Sequence, residues 1–241
     1  MKTVLISGCS YGLIFNDVSM QEHIKKELKV EKIINLSYAG SSVERQIKTV
    51  IEWLSNNPFP DLIIMPLTHI ERYDESVSKI FDPAVAYDES LCVSMDPFTD
   101  NQAMNKQLKS RIDLQTINSL LKNKTLIYNH TSAFNKFISH IITFSGWLQN
   151  KKIRHLLFNM SNQFDKTKFL KINKQIFLQE NKNIIDIFSF CGNKFMYDSL
   201  NKEEQINEKI NELGQYAHHY GVESNKLLIN HLNSYIIKHN I

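Results

Sequence analysis

The chain has 241 residues, 42% of them apolar and 22% charged, so we expect one globular domain spanning residues 1–241 rather than a disordered chain. The formal net charge of +3 at pH 7 is too small for a nucleic-acid partner, because such proteins concentrate Lys and Arg into a patch that neutralises several phosphates. The three cysteines are widely spaced and indicate neither a disulfide framework nor a paired-cysteine zinc site, so we expect a cytoplasmic protein with no metal. No apolar stretch approaches the roughly 18 residues of a transmembrane helix, so we expect no membrane partner.

The chain up to Met65 alternates short apolar strands with amphipathic helices. The predicted strands are Thr3–Ser7, Ile33–Leu36 and Leu62–Met65. Capping boxes that open at Ser19 and Ser41 predict the starts of the two helices. The second helix presents an apolar face formed by Val43, Ile47, Val50, Ile51 and Leu54. Strands and helices at this spacing form successive right-handed βαβ units, which predict a parallel sheet covered on both faces.

An acidic segment follows at about residues 70–100. It holds two basic residues, Arg72 and Lys79, and eight acidic ones, Glu71, Asp74, Glu75, Asp82, Asp88, Glu89, Asp96 and Asp100. A solvated loop explains this composition, and an insertion beside a site that repels phosphate-rich ligands is the alternative. The sequence leaves open whether the segment is a lid or an interface.

The rest of the chain contains further helices and strands. Met104, Leu108 and Ile112 mark one helix, and Phe134, Phe137, Ile138, Ile141, Ile142 and Trp147 mark a longer one. The predicted strands are Ile153–Phe158 and Ile184–Ile187. Leu228, Leu232, Tyr235 and Ile236 mark the closing helix.

Ligands of open parallel sheets bind beyond the carboxyl ends of the strands, so the residues after each strand are the candidates for chemistry. Those segments are Gly8-Cys9-Ser10-Tyr11-Gly12, Tyr38-Ala39-Gly40-Ser41-Ser42 and Pro66-Leu67-Thr68-His69. A fourth polar segment, Tyr216-Ala217-His218-His219-Tyr220-Gly221, precedes the last helix. Cys9 should alternate away from Ser10, so we expect it to be a buried small hydrophobe.

Taken in chain order, these segments resemble the four motifs of the SGNH (GDSL-like) hydrolase superfamily, and best match its subgroup with an opening Gly-Cys-Ser-Tyr motif. The resemblance implies a flavodoxin-like three-layer α/β/α sandwich with a parallel sheet. It also implies that Ser10 is the nucleophile and that the backbone N–H groups of Ser10 and Gly40 bind the oxyanion. His219 would activate Ser10.

The last two motifs depart from the family pattern. Thr68 stands where the family has the oxyanion Asn, and losing one oxyanion donor typically costs about 100-fold or more in rate. Tyr216 stands where the family has the Asp that orients the histidine, so the chain offers a Ser-His dyad or an incomplete triad. In the alternative register His218 is the base, and Gln215 occupies the acid position.

The resulting hypothesis is a serine ester hydrolase that needs no cofactor and acts on a small acylated substrate, with an O-acylated carbohydrate as one candidate. Tyr11, His69, Ser41 and His218 are the predicted substrate contacts. Because two of the four motifs depart from the pattern, a binding or accessory protein with little catalysis is the alternative. Serine is also common in turns, so Ser10 taken alone does not indicate a nucleophile. The chain has neither a GxGxxG nor a Walker pattern, so a nucleotide site is not predicted. The oligomeric state stays open.

Overall fold

A computed structural model describes residues 1–38, 41–68, 73–76, 92–95, 130–160, 182–185 and 222–241. For residues 10, 11, 73–76, 92–95, 130, 131 and 222–224 it describes the backbone alone. The strands are β1 (Thr3–Ile6), β2 (Lys32–Asn35), β3 (Leu62–Leu67), β4 (Tyr73–Ser76), β5 (Cys92–Met95), β6 (His155–Asn159) and β7 (Ile184–Ile185). The helices are α1 (Ser10–Leu13), α2 (Val18–Leu28), α3 (Val43–Asn56), α4 (His130–Asn150) and α5 (Val222–His239), with a 3-10 turn over Ile14–Asn16.

Five strands form a sheet in the order β2-β1-β3-β6-β7, and every pair of neighbours is parallel. The chain leaves β1 to form β2 on one side, then returns to form β3 on the other. A crevice at the carboxyl ends is expected where the strand order reverses in this way, here between β1 and β3. The predicted parallel α/β architecture is confirmed. Strands β4 and β5 form a separate antiparallel pair inside the acidic segment.

Alternate residues of the central strands point to opposite faces of the sheet, and each face has its own apolar core. Val4, Ile6 and Ile64 pack with α2 and α5, whereas Leu5 and Ile63 pack with α3 and α4. Helices therefore cover both faces, and for this reason the strand segments are continuously apolar in the sequence. Within the described ranges, no helix combines the length and apolar character needed to cross a membrane.

Both predicted capping boxes are wrong in position. The N-cap of α2 is Asp17, whose carboxylate accepts from the Met20 N–H at 3.1 Å, while the Ser19 hydroxyl donates to that carboxylate. The N-cap of α3 is Ser42 rather than Ser41, because the Ser41 hydroxyl bonds to the loop after β1. Asp caps a helix as well as Ser does, so residue type alone did not fix either start.

The predicted apolar face of α3 also needs a correction. Ile51 is 39% exposed, whereas Gln46 is 1% exposed on the same face as Val43 and Val50. Gln46 can be buried because its side-chain amide donates to the Pro66 carbonyl at 3.4 Å. The predicted helix around Met104, most of the acidic segment and the end of the strand predicted over Ile184–Ile187 lie outside the described residues.

Candidate functional site

The loop after β1 packs tightly against β3 and the loop after β2. A Cβ on Gly8 would lie 2.6 Å from Pro66 Cγ, and one on Gly12 would lie 2.1 Å from Ser37 Oγ. Real Cβ atoms are not found this close to other heavy atoms, so only glycine fits at either position without movement. The close approach brings the first and third predicted motifs together at the carboxyl edge of the sheet.

Hydrogen bonds hold this loop against the end of β2. The Gly8 N–H donates to Ser37 Oγ at 2.9 Å, and the Asn35 side-chain amide donates to the Gly12 carbonyl at 2.8 Å. Asn35 Oδ1 also accepts from the Ser37 N–H at 2.9 Å. Ser10 lies between these contacts as the first residue of α1, and its backbone position is thereby fixed from both sides.

The segment after β2 is joined to the same loop. The Tyr38 N–H donates to the Gly8 carbonyl at 3.1 Å, and the Ser41 hydroxyl donates to that carbonyl at 3.2 Å. The Ser41 hydroxyl also donates to the Tyr38 carbonyl, and Ser41 is 2% exposed. Its polar atoms therefore bond within the protein, and contact between Ser41 and a substrate stays a prediction.

Thr68 follows the last residue of β3 at this edge and is 3% exposed. Pro66 of the same segment packs against Gly8 of the loop that carries Ser10, while the role of Thr68 as an oxyanion donor stays a prediction. Nearby, Gln46 Oε1 is buried and makes no hydrogen bond to the described residues. The Ser7 hydroxyl donates to the Gln46 backbone carbonyl at 3.3 Å, so α3, β1 and β3 are linked directly under the site.

The sequence analysis missed a contact between a half-buried arginine and an exposed tyrosine close to the loop that carries Ser10. The Arg45 guanidinium lies over the Tyr38 ring, 4.5 Å from its centroid, and the ring is half exposed. The only available signal was an arginine in the first turn of a helix that follows a polar loop, which is too common to single out.

The neighbouring acid of α3 is turned toward α4. Glu44 Oε1 lies 2.8 Å from Lys136 Nζ and 3.7 Å from His140 Nδ1. Burial raises the pKa of Glu44, but the hydrogen bond from Lys136 and the bond to its own backbone outweigh burial, so the pKa lies below its usual value. The Glu44 charge is therefore neutralised on the side of α4.

The predicted site residues are described to different extents. Ser10 and Tyr11 are placed by their backbone in α1, and Ser41 and Thr68 are described in full. Gly40, His69, His218 and His219 lie outside the described residues. The structure thus brings together the segments carrying Ser10, Ser41 and Thr68, and the meeting of Ser10 with a histidine stays a prediction.

A different serine and histidine meet at the opposite edge of the sheet. Ser145 Oγ lies 2.7 Å from His155 Nε2, and both residues are fully buried. His155 Nδ1 lies 2.8 Å from the Ile153 carbonyl, which can only accept, so Nδ1 carries the proton and Nε2 accepts from Ser145. Burial lowers the pKa of His155, and the bond to Ile153 opposes that change only in part.

The carboxyl edge of the sheet thus brings the loop that carries Ser10 together with the ends of β2 and β3. Among the described residues, no three of the types His, Cys, Asp and Glu are grouped to hold a metal ion. Comparison with known proteins adds no assignment, since no protein-family model and no curated protein matches the chain.

Proposed function

We propose that the protein is a serine ester hydrolase of the SGNH type, with Ser10 as nucleophile and His219 as base. Ser10 attacks the acyl carbonyl, His219 accepts the hydroxyl proton, and the backbone N–H groups of Ser10 and Gly40 hold the oxyanion, with the Thr68 hydroxyl as a further donor. The substrate is a small acylated molecule, and O-acylated carbohydrates belong to this class.

The position of Ser10 is the observation that carries the proposal. Ser10 starts a helix directly after β1, beside the reversal in strand order between β1 and β3. The five-strand order is that of flavodoxin-like folds, whose ligands bind at this place. A turn serine elsewhere on the surface would have no such relation to the topology of the sheet.

The packing around Ser10 gives a second line of support. Gly8 and Gly12 leave no space for a Cβ, and Ser37 and Tyr38 hydrogen bond to the same loop. Enzymes need their reacting groups held within about 0.5 Å of a productive geometry, and rigid supporting contacts provide that. A purely connecting loop has no need for this density of contacts.

The test is hydrolysis of 4-nitrophenyl acetate by the wild type, by Ser10→Ala and by Ser139→Ala. Ser139 is an exposed serine of α4 and serves as the matched control. We expect turnover by the wild type and the control and loss of about 1000-fold or more in Ser10→Ala, the range seen when a catalytic serine is removed. A fluorophosphonate probe should modify Ser10 in the wild type, as located by peptide mass spectrometry.

Two histidine variants decide the register of the fourth motif. His219→Ala should lose turnover to a similar extent as Ser10→Ala, while His218→Ala should retain most of it. The reverse result would assign the base to His218. Turnover that Ser10→Ala retains in full would refute the nucleophile assignment, and a wild type without turnover or probe labelling would favour a binding protein on this fold.

A further inference from the structure

We infer that Arg45 and Tyr38 form an anion-recognition subsite, so that the preferred substrates carry a carboxylate close to the scissile ester. The inference rests on the proposed hydrolase function and names its substrate class. It starts from one contact that the proposed mechanism does not use, the Arg45 guanidinium above the Tyr38 ring.

The contact with Tyr38 leaves N–H groups of the guanidinium available to a ligand. The guanidinium carbon of Arg45 lies over the ring, 4.5 Å from its centroid, and an aromatic ring under the cation accepts no conventional hydrogen bond in its plane. A carboxylate takes two parallel hydrogen bonds from the N–H edge of a guanidinium. Because the ring restricts the guanidinium, less conformational entropy is lost when an anion binds.

Among the residues whose side chains the structure describes, no acidic group pairs with the charge of Arg45. Its neighbour Glu44 pairs with Lys136 on the side of α4. Lys48, one turn further along α3, pairs with Glu52 at 3.7 Å. Arg45 thus differs from the other cations on and beside this helix, since its only described side-chain contact is with an aromatic ring.

Hydrogen bonds also connect Tyr38 and Arg45 to the loops around Ser10. The Tyr38 N–H bonds to the Gly8 carbonyl, and the Tyr38 carbonyl accepts from Ser41. The Ser42 hydroxyl accepts from the Arg45 N–H at 3.2 Å and fixes the start of α3. An anion held at Arg45 would therefore lie at a fixed place relative to the loop of Ser10, which is what a subsite for the acyl or alcohol part requires.

The experiment compares ester pairs that differ only in a carboxylate. One pair is 4-nitrophenyl hydrogen adipate and its methyl ester, with the charge on the acyl side, and the other is 4-acetoxybenzoate and its methyl ester, with the charge on the alcohol side. The kcat/KM ratio of charged to neutral ester is measured for the wild type, Arg45→Gln, Tyr38→Leu and Lys48→Gln. Low ionic strength is used because salt screens an exposed charge.

In at least one pair we expect the ratio to fall about tenfold in Arg45→Gln, the effect of losing a charge-assisted hydrogen bond. Tyr38→Leu should lower the ratio in part, whereas Lys48→Gln removes the same charge from the same helix and should leave it unchanged. The activity on the neutral ester should persist in all three variants. Equal ratios for the wild type and Arg45→Gln in both pairs would overturn the inference while leaving the hydrolase proposal intact.

A binding measurement keeps the inference separate from catalysis. The dissociation constant of monomethyl adipate is measured by calorimetry for the wild type, Arg45→Gln and Lys48→Gln. Binding that weakens about tenfold in Arg45→Gln alone supports the subsite even if no ester is hydrolysed. If no ester is hydrolysed and the wild type either fails to bind the ligand or binds it no more tightly than Arg45→Gln does, both proposals fail.

Discussion

The substitution Gly12→Ala tests whether the loop that carries Ser10 is held by close packing. The new Cβ would lie 2.1 Å from Ser37 Oγ and 2.8 Å from Ser37 Cβ. The Ser37 side chain must therefore move, and its oxygen then loses the hydrogen bond from the Gly8 N–H. The displaced side chain and the lost hydrogen bond should both destabilise the fold at the candidate site.

The expected loss follows from three contributions. Overpacking costs about 1–3 kcal/mol, and the lost hydrogen bond costs about 0.5–1.5 kcal/mol. Alanine in place of glycine in a helix returns up to about 1 kcal/mol, although α1 has only four residues. The free energy of unfolding should fall by about 2 kcal/mol, which urea titration at constant pH measures as a shift in the midpoint.

A double-mutant cycle identifies Ser37 as the cause. In a Ser37→Gly background both clashing atoms are absent, so Gly12→Ala should cost much less there. Gly146→Ala is the control, because its Cβ would meet no atom within 4 Å and should stabilise α4 by about 0.5–1 kcal/mol. A Gly12→Ala variant as stable as the wild type, or an equal cost in both backgrounds, would refute the packing argument.

Three further predictions concern groups outside the candidate site. Because the pKa of His155 is lowered in the folded protein, the unfolded chain takes up a proton below the ordinary histidine pKa of 6.5 while the folded protein does not. The stabilisation should therefore be complete above that pH and fall below it by at most roughly 1.4 kcal/mol per pH unit, a slope that urea titrations should not find in His155→Gln. The N–H groups of Thr3 and Lys2 lower the pKa of Asp61, so the stabilisation by Asp61 is present above the ordinary pKa of 3.8 and is lost as pH falls below that value. The difference in unfolding free energy between the wild type and Asp61→Asn should therefore shrink from pH 6 to pH 3. Ser145→Ala leaves a buried imidazole nitrogen without its donor and should cost about 1–3 kcal/mol in urea titrations, yet ester turnover by the folded variant should equal that of the wild type.

The sequence was sufficient for the architecture because buried parallel strands are apolar without interruption. It predicted β3 only to Met65, whereas the strand runs through Pro66 to Leu67. The strand continues because alternate residues bond to opposite sides: Ile63 bonds to the β6 side, and Ile64 accepts from Ser7 on the β1 side. Pro66 therefore faces the β1 side beyond the end of β1, where no ladder bond is lost.

The site was predicted only as far as local chemistry allowed. Residues that directly follow a strand could be identified, and the structure places the segments of Ser10 and Thr68 side by side. The Tyr38 and Arg45 pair could not be predicted, because the two belong to different elements and their meeting depends on how α3 starts at Ser42. The meeting of Ser10 and His219 depends on a contact between distant parts of the chain, and no local pattern determines such a contact.

The buried pair of Ser145 and His155 shows that a hydrogen bond between a serine and a histidine does not by itself identify a catalytic site. It has a hydroxyl that donates to an imidazole and a carbonyl that orients the second ring nitrogen, which are the hydrogen bonds of a catalytic dyad. It nevertheless lies at the amino ends of the strands with no exposed surface, so no substrate can reach it. What distinguishes Ser10 is its place at the carboxyl edge, beside the reversal of strand order. For this chain, position in the topology is therefore the basis on which Ser10 is proposed as the reacting serine, and the presence of a histidine nearby is not.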